Sequence, residues 1–130
     1  MAFYSVGQLA YLLKNKKITS LELTQLYIDR LKKHGDTLQC VITLMEDYGM
    51  AQAKLADQQL QAGNWKGPLH GIPYGIKDLI SVPNFKTTWG AEPYKDQERS
   101  EMATIVEKLN EAGAVLVVKL TLGALAWGDV

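Results

Sequence analysis

The run Gly67-Pro-Leu-His-Gly-Ile-Pro-Tyr-Gly-Ile-Lys77-Asp78-Leu-Ile80 holds the densest chemistry of this 130-residue chain. It sets a lysine, an aspartate and a histidine among glycines, prolines and branched apolar residues. If residues 72–80 run as a strand, successive side chains point to opposite faces. Ile72, Tyr74, Ile76, Asp78 and Ile80 then share one face, and Pro73, Gly75, Lys77 and Leu79 the other. Lys77 lies beside Gly75, which has no side chain and leaves room next to the amine, while Asp78 points away from it. Ile76 and Leu79 flank it with apolar bulk. Desolvation at such a spot favours a neutral amine, the form that serves as a general base. A strand lysine is more commonly an edge or surface residue, and glycines beside it more commonly mark bulges. Spacing alone leaves both readings of Lys77 open.

Other reactive residues are sparser. His70 stands in a turn before Gly71, and only His34 could partner it, from a helix end. A packing or turn-stabilising histidine is therefore expected, and no metal site. The lone Cys40 excludes an intramolecular disulfide framework and a cysteine-based zinc site. Trp65, Trp89 and Trp127 are expected to pack in the core or in loops rather than to bind an apolar substrate. Gly71 and Gly75 form neither G-x-G-x-x-G nor a Walker loop, so nucleotide or other cofactor binding has no motif. Lys14, Lys16 and Lys17 read as a solvated helix end.

The elements that must hold Lys77 follow from periodicity. Ser5 with Gln8, and Thr19 with Glu22, fit the capping-box pattern and mark two helix starts. The first helix carries Val6, Leu9, Ala10 and Leu13 at i, i+3, i+4, i+7. The second, over 20–34, puts Leu23, Leu26, Tyr27, Arg30 and Leu31 on one stripe and stops at Gly35. Residues 38–44 read as a strand, and 50–62 as a helix with Ala53, Ala56 and Leu60 inward. After the strand at 72–80 comes a polar connection over 81–99. Ser100 is placed to cap a helix facing inward through Met102, Ile105, Val106 and Leu109, ended by Gly113. Residues 114–118 form a continuous apolar run, the pattern of a strand covered on both faces. The fold class expected is α/β, a mixed central sheet flanked by helices.

The run from Gly67 to Asp78 resembles the start of the amidase signature family, whose motif is close to G-P-L-H-G-I-P-x-x-x-K-D. Thr87-Thr88-Trp89-Gly90 and the segment 114–121 resemble family segments that follow at similar spacing, and the helices fall in the family's order. The resemblance covers nearly the whole chain. It implies that 1–130 is the N-terminal part of a single amidase-signature domain, with a helical hairpin at about 5–34 and an α/β part at about 38–130. It further implies a Ser–Ser–Lys triad for amide hydrolysis or ammonia transfer, in which the lysine matching Lys77 takes a proton relayed through a bridging serine held by a cis peptide. Backbone N–H groups near that serine would hold the oxyanion. No cofactor is implied.

The chain departs from that pattern in one decisive way. The family's serines sit in a Gly/Ser-rich segment after the 114–121 strand, whereas this sequence has only Ser5, Ser20, Ser81 and Ser100. The first two and Ser100 read as caps or near-caps, Ser81 as a strand end. The chain alone is thus expected to be inactive. Ala91 stands where the family often has serine, and residues 123–126 replace an acidic residue before Phe-Ala, which leaves the substrate class open. Two further readings remain: the glutaminase-subunit-like part of a tRNA-dependent amidotransferase, and a non-catalytic interaction module.

Composition limits the partners. Fourteen basic residues balance fourteen acidic ones, with the signs interspersed, which argues against direct nucleic-acid binding. The first seven residues lack a signal-peptide pattern, and no run approaches the ~20 apolar residues of a membrane span. A soluble, cytoplasmic protein acting on a small-molecule amide is expected. The apolar ending, residues 122–130, suggests that the chain is cut from a longer one. The sheet would then lack neighbours and leave an apolar edge open to self-association.

Overall fold

In a computed structural model, which describes residues 1–127, the chain opens with helix α1, Val6–Lys14. Its start is the expected capping box: the Gln8 N–H donates to Ser5 Oγ at 3.2 Å and the Ser5 N–H to Gln8 Oε1 at 2.8 Å. Thr19 and Glu22 build the same box before helix α2, Ser20–Leu38. This helix runs through the stop expected at Gly35 and ends on Gln39, whose φ of 48° is left-handed. Gly35 is there for closeness: a Cβ on it would lie 2.8 Å from Val41 Cγ2. The face of α2 turned inward carries Ser20, Leu23, Thr24, Ile28 and Gly35, one step round from the stripe expected.

Strand β1, Val41–Leu44, follows, and then helix α3, Glu46–Gln61, which begins earlier than the apolar pattern indicates. Ala53 and Ala56 are buried on it as expected, and Gly49 lets it approach the Val117 side chain and the Leu116 carbonyl. Strand β2 is Pro73–Lys77, shorter than the 72–80 expected, because Asp78 turns into a loop. That loop reaches helix α4, Thr104–Glu111, through a single 3-10 turn at Glu92–Tyr94. The residue at the α4 N-cap is Ala103, without a side-chain cap bond, so Ser100 does not cap this helix. Strand β3, Val115–Leu120, is buried along almost its whole length. Residues 128–130, the end of the apolar run, lie outside the described residues.

The sheet has the order β1-β3-β2, with β1 antiparallel and β2 parallel to β3. A mixed sheet with helices packed on it is the fold class expected from the pattern. The central place of β3 explains its unbroken apolar run, since both faces are covered. On one face Val115, Val117 and Val118 meet Ile28 of α2 and Ala53 of α3. On the other, Leu116 and Ile76 meet Met45, Val82 and Val106. A third cluster joins Leu9 and Leu13 of α1 to Leu23 and Ile72. Full burial of each valine, leucine, isoleucine or methionine among them stabilises the fold by about 1.5–3 kcal/mol.

Two neighbours in sequence, Val117 and Val118, serve the same core face. The cause is a bulge: Tyr74 pairs with Leu116, but Gly75 pairs with Val118, leaving Val117 as the extra residue. Beyond it the alternation of β3 is out of phase with what precedes it. Lys119 therefore joins the face of Leu116 and Ile76 instead of the face of Val115 and Val117.

Candidate functional site

The two faces of β2 divide as the alternation requires. Ile76 and Asp78 are buried, whereas Gly75 and Lys77 are exposed. Lys77 pairs with Leu120 of β3 and occupies the last position of its strand. The space expected beside it is filled: a Cβ on Gly75 would meet Val118 Cγ1 at 2.7 Å and Leu120 Cδ1 at 3.0 Å. Gly75 thus serves close strand packing, and the Lys77 amine stands in solvent instead of a desolvated niche. Among the described residues Lys77 enters no ion pair.

Asp78 points the other way, into the interior, and it does not go unpaired. Lys119 Nζ lies 2.8 Å from Asp78 Oδ1, with both side chains fully buried. The same amine donates to Thr87 Oγ1 at 2.8 Å and to the Lys86 carbonyl. Asp78 Oδ2 accepts from the Thr88 N–H at 3.1 Å and from the Thr88 hydroxyl at 2.5 Å. Burial pulls the Lys119 amine below the usual lysine range, and the Asp78 carboxylate opposes that pull. Sequence reading missed this lysine. The signal lay in a charged residue prolonging the apolar run 114–118, but strict alternation turns it away from Asp78. Only the bulge at Val117 brings the two together.

The backbone around the pair is equally tied. The Asp78 N–H donates to the Leu120 carbonyl at 2.9 Å, and the Asp78 carbonyl accepts from the Trp89 N–H at 3.2 Å. Trp89 is held at φ 54°, a left-handed conformation that costs a bulky residue about 1–3 kcal/mol. Gly90 follows at φ 65°, where a Cβ would lie 2.6 Å from the Leu122 carbonyl oxygen.

The remaining candidates take structural places. His70 is buried, accepts from the Lys66 N–H on Nδ1 at 3.3 Å, and faces the Ala56 carbonyl with Nε2 at 2.8 Å. Acceptance on Nδ1 requires Nε2 to donate, so His70 is a packing histidine that pins the turn before β2 to α3. His34 is apart from it, lining a hollow of about 430 Å³ on α2 with Tyr27, Leu31 and Cys40. Trp65 packs on His70, and Trp89 on Tyr94 with Arg99 over its ring. Trp127, by contrast, is 88% exposed rather than packed. Ser5 is a cap, Ser20 Oγ donates to the Gly71 carbonyl at 2.9 Å, Ser81 is buried and Ser100 is exposed. None of the four is hydrogen-bonded to Lys77. Among the described residues there is no helix long and apolar enough to cross a membrane, and no cluster of metal-ligating side chains.

A family model described as Amidase matches residues 22–128. The chain is similar to the A-subunit of glutamyl-tRNA(Gln) amidotransferase from Coxiella burnetii (strain Dugway 5J108-111), with 37% identity over 125 residues, 96% of this chain and 26% of that relative. The corresponding protein from Methylobacillus flagellatus is 36% identical over 129 residues, 99% of this chain and 26% of its own length. The solved structure of native peptide amidase from Stenotrophomonas maltophilia matches with a TM-score of 0.87 and 31% identity, over 95% of this chain and 26% of that one. The chain therefore spans about a quarter of the length of the relatives it matches.

Proposed function

The chain belongs to the amidase family, and on that premise we propose that the whole protein hydrolyses carbon–nitrogen bonds of amides with Lys77 as its base. The observation that carries this reading is the motif over 67–78 delivering Lys77 to the end of β2 while Asp78 is engaged by Lys119. The neighbouring carboxylate is thereby kept away from the Lys77 amine. Lys77 is exposed in this chain, so the reading requires further protein to cover it and favour the neutral amine.

In this mechanism a nucleophilic serine attacks the amide carbonyl, and its proton passes through a bridging serine to Lys77. Backbone N–H groups hold the oxyanion of the tetrahedral intermediate. Its collapse breaks the C–N bond, and the departing amine takes the proton back from Lys77 by the same relay. Water then cleaves the acyl-serine ester, with Lys77 again accepting the proton. Both serines belong beyond these 130 residues in this reading, and the acyl acceptor is water from the cytoplasm.

The two curated relatives support a second reading, a glutaminase-subunit-like part of a tRNA-dependent amidotransferase. The amide is then that of glutamine, and the ammonia passes to a partner complex holding the charged tRNA. Ammonia release by the whole gene product, from glutamine against C-terminal peptide amides, separates the two. Release from neither overturns both. Hydroxylamine trapping tests the missing nucleophile: the 130-residue chain alone is expected to form no hydroxamate, and hydroxamate formation would show that it carries its own nucleophile.

A further inference from the structure

We propose that Asp78, Lys119 and Thr88 are positioning residues, a buried clamp that fixes the end of β2 carrying Lys77 against the 86–90 loop. The inference rests on the reading of Lys77 as base and adds what holds it. Three segments meet at this one point. Asp78 directly follows β2, Lys119 is the penultimate residue of β3, and Lys86 to Trp89 form the loop.

The contacts tie all three segments together. The Lys119 amine donates to Thr87 Oγ1 and the Lys86 carbonyl, and it forms an ion pair with Asp78 Oδ1 at 2.8 Å. Asp78 Oδ2 holds both the backbone and the hydroxyl of Thr88. The Asp78 carbonyl holds the N–H of Trp89, the residue forced to φ 54°. Backbone strain of this kind persists only where the surroundings over-determine it. With both side chains at 0% exposure the pair cannot reach a substrate, so its influence must pass through Lys77, one residue away.

Sheet cohesion does not require this arrangement. A buried ion pair is replaced by well-packed apolar residues with little loss, and often with a gain. The bulge at Val117 nevertheless turns Lys119 towards Asp78, and bulges near functional sites commonly re-aim a side chain in this way. An apolar pair would fill the volume but would not fix where Thr88 and Trp89 lie relative to Lys77.

The test uses the whole gene product and the amide it cleaves fastest, with melting followed by circular dichroism. Asp78→Asn/Lys119→Met removes both charges, so no buried charge is left alone. Thr88→Val removes one hydrogen bond to Asp78 and leaves the ion pair, which keeps the test alive if the double variant does not fold. Both are expected to melt near the parent and to lose at least about tenfold in kcat with KM little changed, as a misplaced base requires. Folded variants with parental kcat would overturn the clamp, as would a Thr88→Val protein with parental kcat if only that one folds. Lys77→Met run alongside separates the two failures. Its inactivity beside active clamp variants sinks the clamp alone, whereas its full activity sinks the base and the clamp with it.

Discussion

Lys119 and Asp78 were each visible as charges in the sequence, and their partnership was not. Period-two alternation sorts β2 correctly, with Ile76 and Asp78 inward and Gly75 and Lys77 outward. The same rule applied to residues 115–119 fails at Val117, because a bulge depends on the partner strand and leaves no mark on one strand's composition. Stability should report the pair. Asp78→Asn strands a buried ammonium and is expected to cost about 3–5 kcal/mol in denaturant melts, and adding Lys119→Met should recover most of that loss. Tyr74 gives a second readout. Burial pushes its phenol up to about 12, and its hydroxyl has no partner among the described residues. Below pH 10 the group is neutral in both states, and the fold loses stability as pH rises from 10 to 12, where the unfolded chain gives up the proton that the folded one keeps. Tyr74→Phe should be neutral or stabilising at pH 7, and between pH 10 and 12 its stability should fall less steeply than the parent's. A steeper or equal fall would contradict this assignment.

Helix starts were legible as local chemistry, because a capping box is written within four residues. Both boxes form, at Ser5 with Gln8 and at Thr19 with Glu22. Ser5→Ala is accordingly expected to lower stability by about 1 kcal/mol in urea titrations. Helix ends and glycines were less legible. Gly35 has the look of a terminator, yet it sits inside α2 because Val41 packs where its Cβ would be. Ala is the better helix former by about 1 kcal/mol, but Gly35→Ala should still be destabilising, since the overpacking against Val41 costs about 1–3 kcal/mol. A stabilised Gly35→Ala would show that α2 and β1 approach less closely than described. Ser100 taught the converse: a capping residue caps nothing when tertiary contacts start α4 at Thr104.

The mixed sheet and its flanking helices were legible as a whole, since the buried run over 114–118 demands cover on both faces and the capped helices supply it. What lay beyond reading was the order β1-β3-β2, with β1 and β2 at the outside. Both outer strands carry unpaired backbone groups among the described residues, and Ile42 of β1 is 42% exposed. Sedimentation velocity on the 130-residue chain is expected to show association that grows with concentration, and a single monomeric boundary would contradict it. The functional claim turns on Lys77, for which the motif from Gly67 to Asp78 was the whole of the sequence signal. That claim is tested most directly by kcat of the whole gene product with Lys77→Ala on its preferred amide. A loss on the order of 1,000-fold or more in a protein that still melts cooperatively is the expected result, and a kcat within a few-fold of the parent's would contradict the account.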